Sequence, residues 1–416
     1  TLPTMNKQTL YPFTEHALVF LLGAGIFLSK PVIYVSTGLL TLYFLVRLAT
    51  DTQYRQEAFA NKLIIVALAI YIFGIVAGLI MQISTDDLAL IARKSLYLVI
   101  FAPLLLAFRC ATSRGFALAG ALGGFWIAAL LTLISIPNAD STRIAGATWL
   151  VDVWGVLCGF LVVFLTPFIF DQRWSKQWRL FFAVTALLAF VLLILSGARG
   201  PWLGAAAALF VYLLLFQWKT LGLLTLVAAL AYFPAKHLFP TQINHITDRA
   251  MSVTQTQAVG SNWIRLTLWQ LSIEHTKEKA REAPGVLLLG SGSDAHFPDF
   301  SEFTERTSMI SNEDKERLAS YGYPSNDIHN MYLDSIAKHG LIWTLANILF
   351  FISVAFVAWR YRTPPNQTPL AAPAVILYFL ITGITYTLLP HFATTFMVFF
   401  ALLACTSNKP TRKNHA

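Results

Sequence analysis

LFFAVTALLAFVLLILSGARGPWLGAAAALFVYLLLFQW, residues 180–218, settles the class of protein. It is almost wholly apolar except at its middle, where Ser196-Gly197-Ala198-Arg199-Gly200-Pro201 intervenes. A helix needs about 20 apolar residues to cross ~30 Å of hydrocarbon. The stretch therefore reads as two membrane helices, 180–197 and 201–218, joined by a tight turn that carries one arginine. Similar runs recur in both directions, at 13–29, 31–48, 62–83, 94–110, 114–136, 148–170 and 220–234, then at 331–359, 371–389 and 391–406. The run 331–359 is overlong for one crossing, and Gly340 divides it into a surface helix over about 329–339 and a span proper.

Composition agrees. Of 416 residues, 56% are hydrophobic and 12% charged, with a mean hydropathy of +0.61, more apolar surface than a water-soluble core of this length could cover. The weak alternating segments of a transmembrane β-barrel are absent from the pattern. The expected fold is an all-α polytopic membrane protein with about 12 transmembrane helices and one large outward loop. Its expected parts are helices 1–9 over residues 1–234, the loop domain with amphipathic helices over 235–330, and helices 10–12 with a tail over 331–416.

Orientation follows from where positive charge falls in the short breaks. One set holds Lys7, Arg47, Arg55, Lys62, Arg109, Arg114, Arg173, Lys176, Arg179, Lys219, Arg360, Arg362, Lys409, Arg412 and Lys413; the other holds only Lys30, Arg93, Lys94, Arg143 and Arg199. The richer set is expected in the cytoplasm with both termini, so the long polar segment faces outward. The net charge of +9 is then a topology signal, and no nucleic-acid partner is implied. No cleavable signal peptide is visible, and the first span is expected to anchor the chain. Cys110, Cys158 and Cys405 lie in or near spans and imply no disulfide framework or Cys-based metal site.

Chemistry concentrates at a few places. An arginine at membrane depth is costly, so it normally faces a protein interior or an anionic ligand. Arg199, with glycines beside it and Pro201 opening the next helix, has the surroundings of a phosphate or pyrophosphate contact; the other reading is a turn whose arginine reaches to lipid headgroups. Arg93 and Lys94 form a cationic pair at the outer face, suited either to lipid phosphate or to snorkelling from a span end. Asp86 and Asp87 fit the N-cap of the following helix, with a divalent cation as the alternative. The loop Pro137–Thr148, with Asp140 and Arg143, reads as a linker, and 171–179 as an interfacial anchor.

The outward segment divides further. Residues 236–259 are polar and expected to be irregular, and 261–282 read as an amphipathic helix capped by Ser261 or Asn262. On that helix Ile264, Leu268 and Leu271 share one face, while Arg265 and Trp269 stand one turn apart on another. Arginine beside tryptophan suits a phosphate together with a sugar face, or an ordinary surface pair. Residues 284–297 end in Gly290-Ser291-Gly292, a tight turn or a phosphate cradle, and 299–320 are charged and solvated. His329 then opens the next helix, with Asn326 and Asp327 as caps; the positive end of the helix dipole favours the neutral imidazole that a general base requires. His391, between the last two spans, is a turn residue or a second lining of the same cavity.

Four of these pieces together resemble the O-antigen ligase and polymerase superfamily of bacterial inner-membrane proteins. They are Ser196-Gly-Ala-Arg199-Gly200 between two spans, Arg265 within Trp263-Ile-Arg-Leu-Thr-Leu-Trp269, Gly290-Ser-Gly292, and His329-Asn330-Met-Tyr332-Leu333 followed by Gly340. The resemblance covers about 180–345; the family's usual second glycine after the histidine run is replaced by Trp343. It implies a GT-C-like glycosyltransferase that moves O-antigen polysaccharide from undecaprenyl pyrophosphate to a sugar hydroxyl of the lipid A core, inverting the anomeric centre without metal or organic cofactor. In the roles it implies, Arg199 and Arg265 hold the pyrophosphate and His329 is the base. Trp269, Asn330, Arg93 and Lys94 contact substrate, and membrane lipids are partners. The expected location is the bacterial inner membrane, with the active site facing the periplasm. The same residues also suit an O-antigen polymerase or a protein O-oligosaccharyltransferase, and, more remotely, a lipid-linked glycan transporter.

Overall fold

The computed structural model describes residues 7–135, 143–238, 240–251, 260–323, 327–360, 367–387 and 389–406. Within them every regular element is helical. The first seven are α1 (Lys7–Leu28), α2 (Lys30–Thr50), α3 (Thr52–Ala60), α4 (Lys62–Ile80), α5 (Thr85–Lys94), α6 (Leu96–Ala107) and α7 (Ala111–Ser135). Then come α8 (Val151–Phe170), α9 (Lys176–Ser196), α10 (Arg199–Phe216), α11 (Trp218–Leu238) and α12 (Pro240–Met251). Next are α13 (Gly260–Glu282), α14 (Pro284–Leu289), α15 (Ser293–Arg306) and α16 (Asn312–Ser320), followed by α17 (Met331–Arg360), α18 (Ala371–Gly383) and α19 (Pro390–Thr406).

Among the described residues ten helical segments are long and apolar enough to cross a membrane, α5 and α6 together making one of them, and two shorter apolar segments follow at Thr368–Gly383 and His391–Cys405. These correspond to the twelve runs of the sequence. Large side chains such as Leu42, Leu79, Leu187 and Leu215 are exposed around the outside, as expected where lipid replaces water as solvent. Helix α8 is the central pillar, buried from Val153 through Phe168 and packed against α9, α10 and α18. Helices α1 and α7 lie backbone to backbone: a Cβ on Gly120 or Gly124 would run into the main chain at Phe20 or Ala24, the close approach that small residues allow between membrane helices.

Two expectations need correction. Residues 236–238 and 240–251 are not irregular: α11 continues to Leu238 and α12 spans Pro240–Met251, while 239 and 252–259 lie outside the described residues. The span expected at 371–389 ends at Gly383. Beyond it the described residues Ile384–Thr387 leave the helix, which puts Thr385, Tyr386 and Thr387 in a turn instead of a lipid-facing wall.

Helix α17 breaks where the sequence said it would. Gly340 has φ 81° and ψ 165°, so a surface helix ends at His339 and a crossing begins after it. That region of backbone space is essentially open to glycine alone. Gly290 and Gly292 adopt nearly the same angles, at φ 86° and 80°, and the two segments dock. Ser291 N donates to the Ala337 carbonyl at 3.2 Å and Gly292 N to that of Lys338 at 3.1 Å. The Gly-x-Gly turn therefore spends two of its three N–H groups on α17, Gly290 N donating to Val286 O, and is a clamp between elements. Above it, Ile264, Leu268 and Leu271 of α13 bury against Phe300, Phe303 and Leu318 in a small separate core. The charged 299–320 region thus has an inward face that its composition hid.

Candidate functional site

Helix α9 ends on Gly197 in the left-handed region, at φ 63°, and α10 begins two residues later. The turn is held from three sides. Ser196 Oγ donates to the Leu193 carbonyl and accepts from Ala198 N, Trp202 Nε1 donates to Leu193 O at 2.8 Å, and Arg143 Nε donates to Ser196 O at 2.9 Å. Arg199 comes out of this fixed turn as the first residue of α10, only 8% exposed. It lines a cavity of about 160 Å³ with Gly200, Leu203, Asn262, Arg265, Leu266, Trp269 and Thr385. The structure thus places Arg199, from the turn, and the Arg265–Trp269 pair of α13 on one cavity.

Arg265 is steered by its neighbours. Its guanidinium lies over the Tyr386 ring, 5.6 Å from the centroid, and the Tyr386 hydroxyl donates to Asp152 Oδ1 at 3.2 Å. Asp152 in turn pairs with Arg143 at 2.5 Å. Arg143 therefore ties the Arg199 turn to the platform under Arg265, and the loop that read as a linker has a structural task. Burial and the nearby Asp152 charge push the Tyr386 phenol well up from its ordinary value, so it presents a neutral ring to the guanidinium.

His329 lies beside this cavity and is not part of its lining. The link is one residue long, since Trp269 Nε1 donates to the Ile328 carbonyl at 3.2 Å. His329 sits in the left-handed region at φ 53°, an uncommon position for a non-glycine residue and one that surrounding contacts must hold. Asp327 supplies them. Its Oδ1 accepts from His329 N at 2.7 Å and from Thr387 Oγ1, while Oδ2 faces His329 Nδ1 at 3.2 Å. Burial alone would raise the Asp327 carboxyl, but the hydrogen bonds and charge of His329, with Thr387, hold it down at about 2. On the far side of the imidazole, Nε2 meets the Tyr323 hydroxyl at 2.5 Å.

The caps differ from expectation. Asn330, not Asn326 or Asp327, caps α17: its Oδ1 accepts from Tyr332 N at 3.0 Å and Leu333 N at 3.1 Å. Asn326 lies outside the described residues, and Asp327 is engaged with His329. At α5 the cap is Ser84, whose Oγ accepts from Asp87 N at 3.0 Å; Asp87 is buried, its carboxylate against Gly292. At α13 the helix already begins at Gly260, ahead of Ser261 and Asn262.

Other candidates part company. Arg93 is exposed, whereas Lys94 turns inward to a second polar cavity with Asp327, Asp334, Lys338 and Thr387. There Lys338 and Asp334 form a buried ion pair at 2.6 Å. His391 is buried against the Trp149 ring, 5.2 Å between centroids, and lines neither cavity. Among the described residues no three His, Cys, Asp or Glu side chains converge.

Tyr323, Asp327, Tyr386 and Thr387 were missed as site residues. The only available signal for Asp327 was its place two residues before the histidine, and Tyr386 was counted inside a span. A search of curated proteins finds no match to this chain. Residues 184–348, the segment that holds Arg199, Arg265 and His329, match the family model described as O-Antigen ligase.

Proposed function

We propose that the protein is an O-antigen ligase, an inverting glycosyltransferase that moves O-antigen polysaccharide from undecaprenyl pyrophosphate to a sugar hydroxyl of the lipid A core. The observation that carries this reading is the convergence of Arg199 and Arg265 with Trp269 on one cavity at the end of the membrane helices. Two guanidinium groups present paired donors to a pyrophosphate and stabilise the charge that grows on it as the anomeric carbon–oxygen bond breaks. In this role they supply the positive charge that a divalent cation provides elsewhere. Trp269 offers a flat face to a sugar ring.

His329 takes the proton of the attacking acceptor hydroxyl on Nε2. Asp327 fixes the ring and opposes the charge it acquires, as an orienting carboxylate does beside other catalytic imidazoles. The acceptor oxygen bonds to the anomeric carbon on the face opposite the departing diphosphate, which inverts that centre. On this reading the site faces the periplasm of a bacterial inner membrane, with both termini in the cytoplasm, and Lys94 and Arg93 stand toward substrate and lipid headgroups.

Deletion in the native host tests the reading against a polymerase built on the same residues. A ligase deletion leaves long lipid-linked polymer and a bare core. A core that still carries a single repeat unit assigns the polymerase instead.

A further inference from the structure

An enzyme that opens an activated diphosphate sugar with a general base faces a competitor at every turnover, because water is always present and carries the same O–H group as the acceptor. The neighbourhood of His329 contains a part suited to that difficulty. Asp327 Oδ2 accepts at Nδ1 across 3.2 Å, so in the neutral imidazole that a general base requires Nδ1 carries the proton and Nε2 offers the lone pair. Burial, and then the Asp327 charge, push the Tyr323 phenol up from its ordinary value. It stays protonated and is the donor to Nε2 across 2.5 Å. The nitrogen that must take the acceptor's proton is therefore already covered.

The imidazole has little freedom to escape this cover. Its main chain sits at φ 53° and both its N–H groups are turned to Asp327, which Thr387 holds in place. The phenol has more. Its backbone is anchored at the end of α16, with Tyr323 N donating to Leu318 O at 3.0 Å just after Gly322 at φ 77°. The side chain is half-buried against the small core of α13, α15 and α16, on which Trp263 and Ile310 also pack. Rotation about its own side-chain bonds moves it off His329 without disturbing the main chain.

We propose that Tyr323 is a gate on His329, which keeps the base from activating water until an acceptor sugar bound at the site displaces the phenol. This rests on the reading of His329 as the base. Bond changes balance without further reactants: the acceptor hydroxyl replaces the phenol at Nε2, its proton passes to Nε2 as its oxygen bonds to the anomeric carbon, and the electron pair of the broken bond leaves with the diphosphate. The phenol keeps its own proton throughout. Tyr323 is a positioning residue, since it acts through the imidazole.

The test uses the full chain in detergent, as wild type, Tyr323→Phe and Tyr323→Leu. The first readout is the rate at which diethyl pyrocarbonate modifies His329, followed by peptide mass spectrometry. It should rise about tenfold in either variant, the worth of one lost hydrogen bond. The second is the ratio of free glycan to transferred glycan from the lipid-linked donor, which should also rise about tenfold as water gains access to the base. An unchanged modification rate overturns the proposal, and so does faster modification with an unchanged ratio. A wild-type protein that transfers no glycan at all counts against the ligase reading, and the modification rate still decides whether the phenol covers the base.

Discussion

Asp327 is where the account is most exposed at the scale of single residues. Its two oxygens hold the main-chain N–H and ring of His329 at once, so its loss should disturb the base without removing it. Asp327→Asn is expected to lower transfer roughly a hundredfold, within the range that one general base contributes. Binding of the lipid-linked donor, measured separately, should change little, because the arginines proposed to hold it line the neighbouring cavity. Equal losses of transfer and donor binding would instead make Asp327 a general support of the fold. Arg199 and His329 were legible in the sequence because each breaks a local rule, a charge in an apolar run and a histidine leading into one. Asp327 and Tyr323 break none. A carboxylate before a helix reads as a cap until the actual cap, Asn330, is seen.

Among the elements, α13 and α15 hold a second feature that reports on their stability. His275 on α13 and His296 on α15 are buried together, ring centroids 5.4 Å apart, against Phe300. Burial lowers both, with the positive charge of Lys279 adding to the effect on His275 and that of His275 to the effect on His296; they fall to about 4 and about 3 from an ordinary 6.5. A histidine depressed in the folded state is neutral there while the unfolded chain takes up a proton, so stability is full above pH 6.5. It is lost as pH falls from 6.5 toward about 4, at ~1.4 kcal/mol per pH unit for each group. The protection factors of α13 and α15, exchange rates taken relative to the intrinsic rate at each pH, should therefore fall across that window, and His275→Phe should remove about half of the slope. Protection factors that do not change between pH 6.5 and 4 would show that the pair is not neutral in the folded state. The same helices show why composition misled over 299–320: three inward residues, Phe300, Phe303 and Leu318, suffice to anchor a charged surface.

Over the whole molecule, the sequence was most readable where the bilayer dictates the answer. Runs of apolar residues set the crossings, and Gly340 broke α17 as expected because no other residue readily adopts its angles. Legibility failed at the turn after α18, where the chain leaves the helix at Gly383 while its sequence is still apolar enough to continue. That unwinding delivers Thr385 to the arginine cavity, Tyr386 to Arg265 and Thr387 to Asp327. The joint between the arginines and the histidine is thus made by a segment that hydropathy assigned to lipid. On the proposed reading Arg199, Arg265 and His329 together transfer a glycan from lipid diphosphate to a sugar hydroxyl. Its most direct test is transfer by the purified protein in detergent, with chelator present and no membrane gradient, comparing wild type with Arg199→Ala, Arg265→Ala and His329→Gln. Wild type should transfer glycan to lipid A core at a rate that chelator leaves unchanged, and each variant should fall at least about a hundredfold; full transfer by His329→Gln or Arg199→Ala would contradict it.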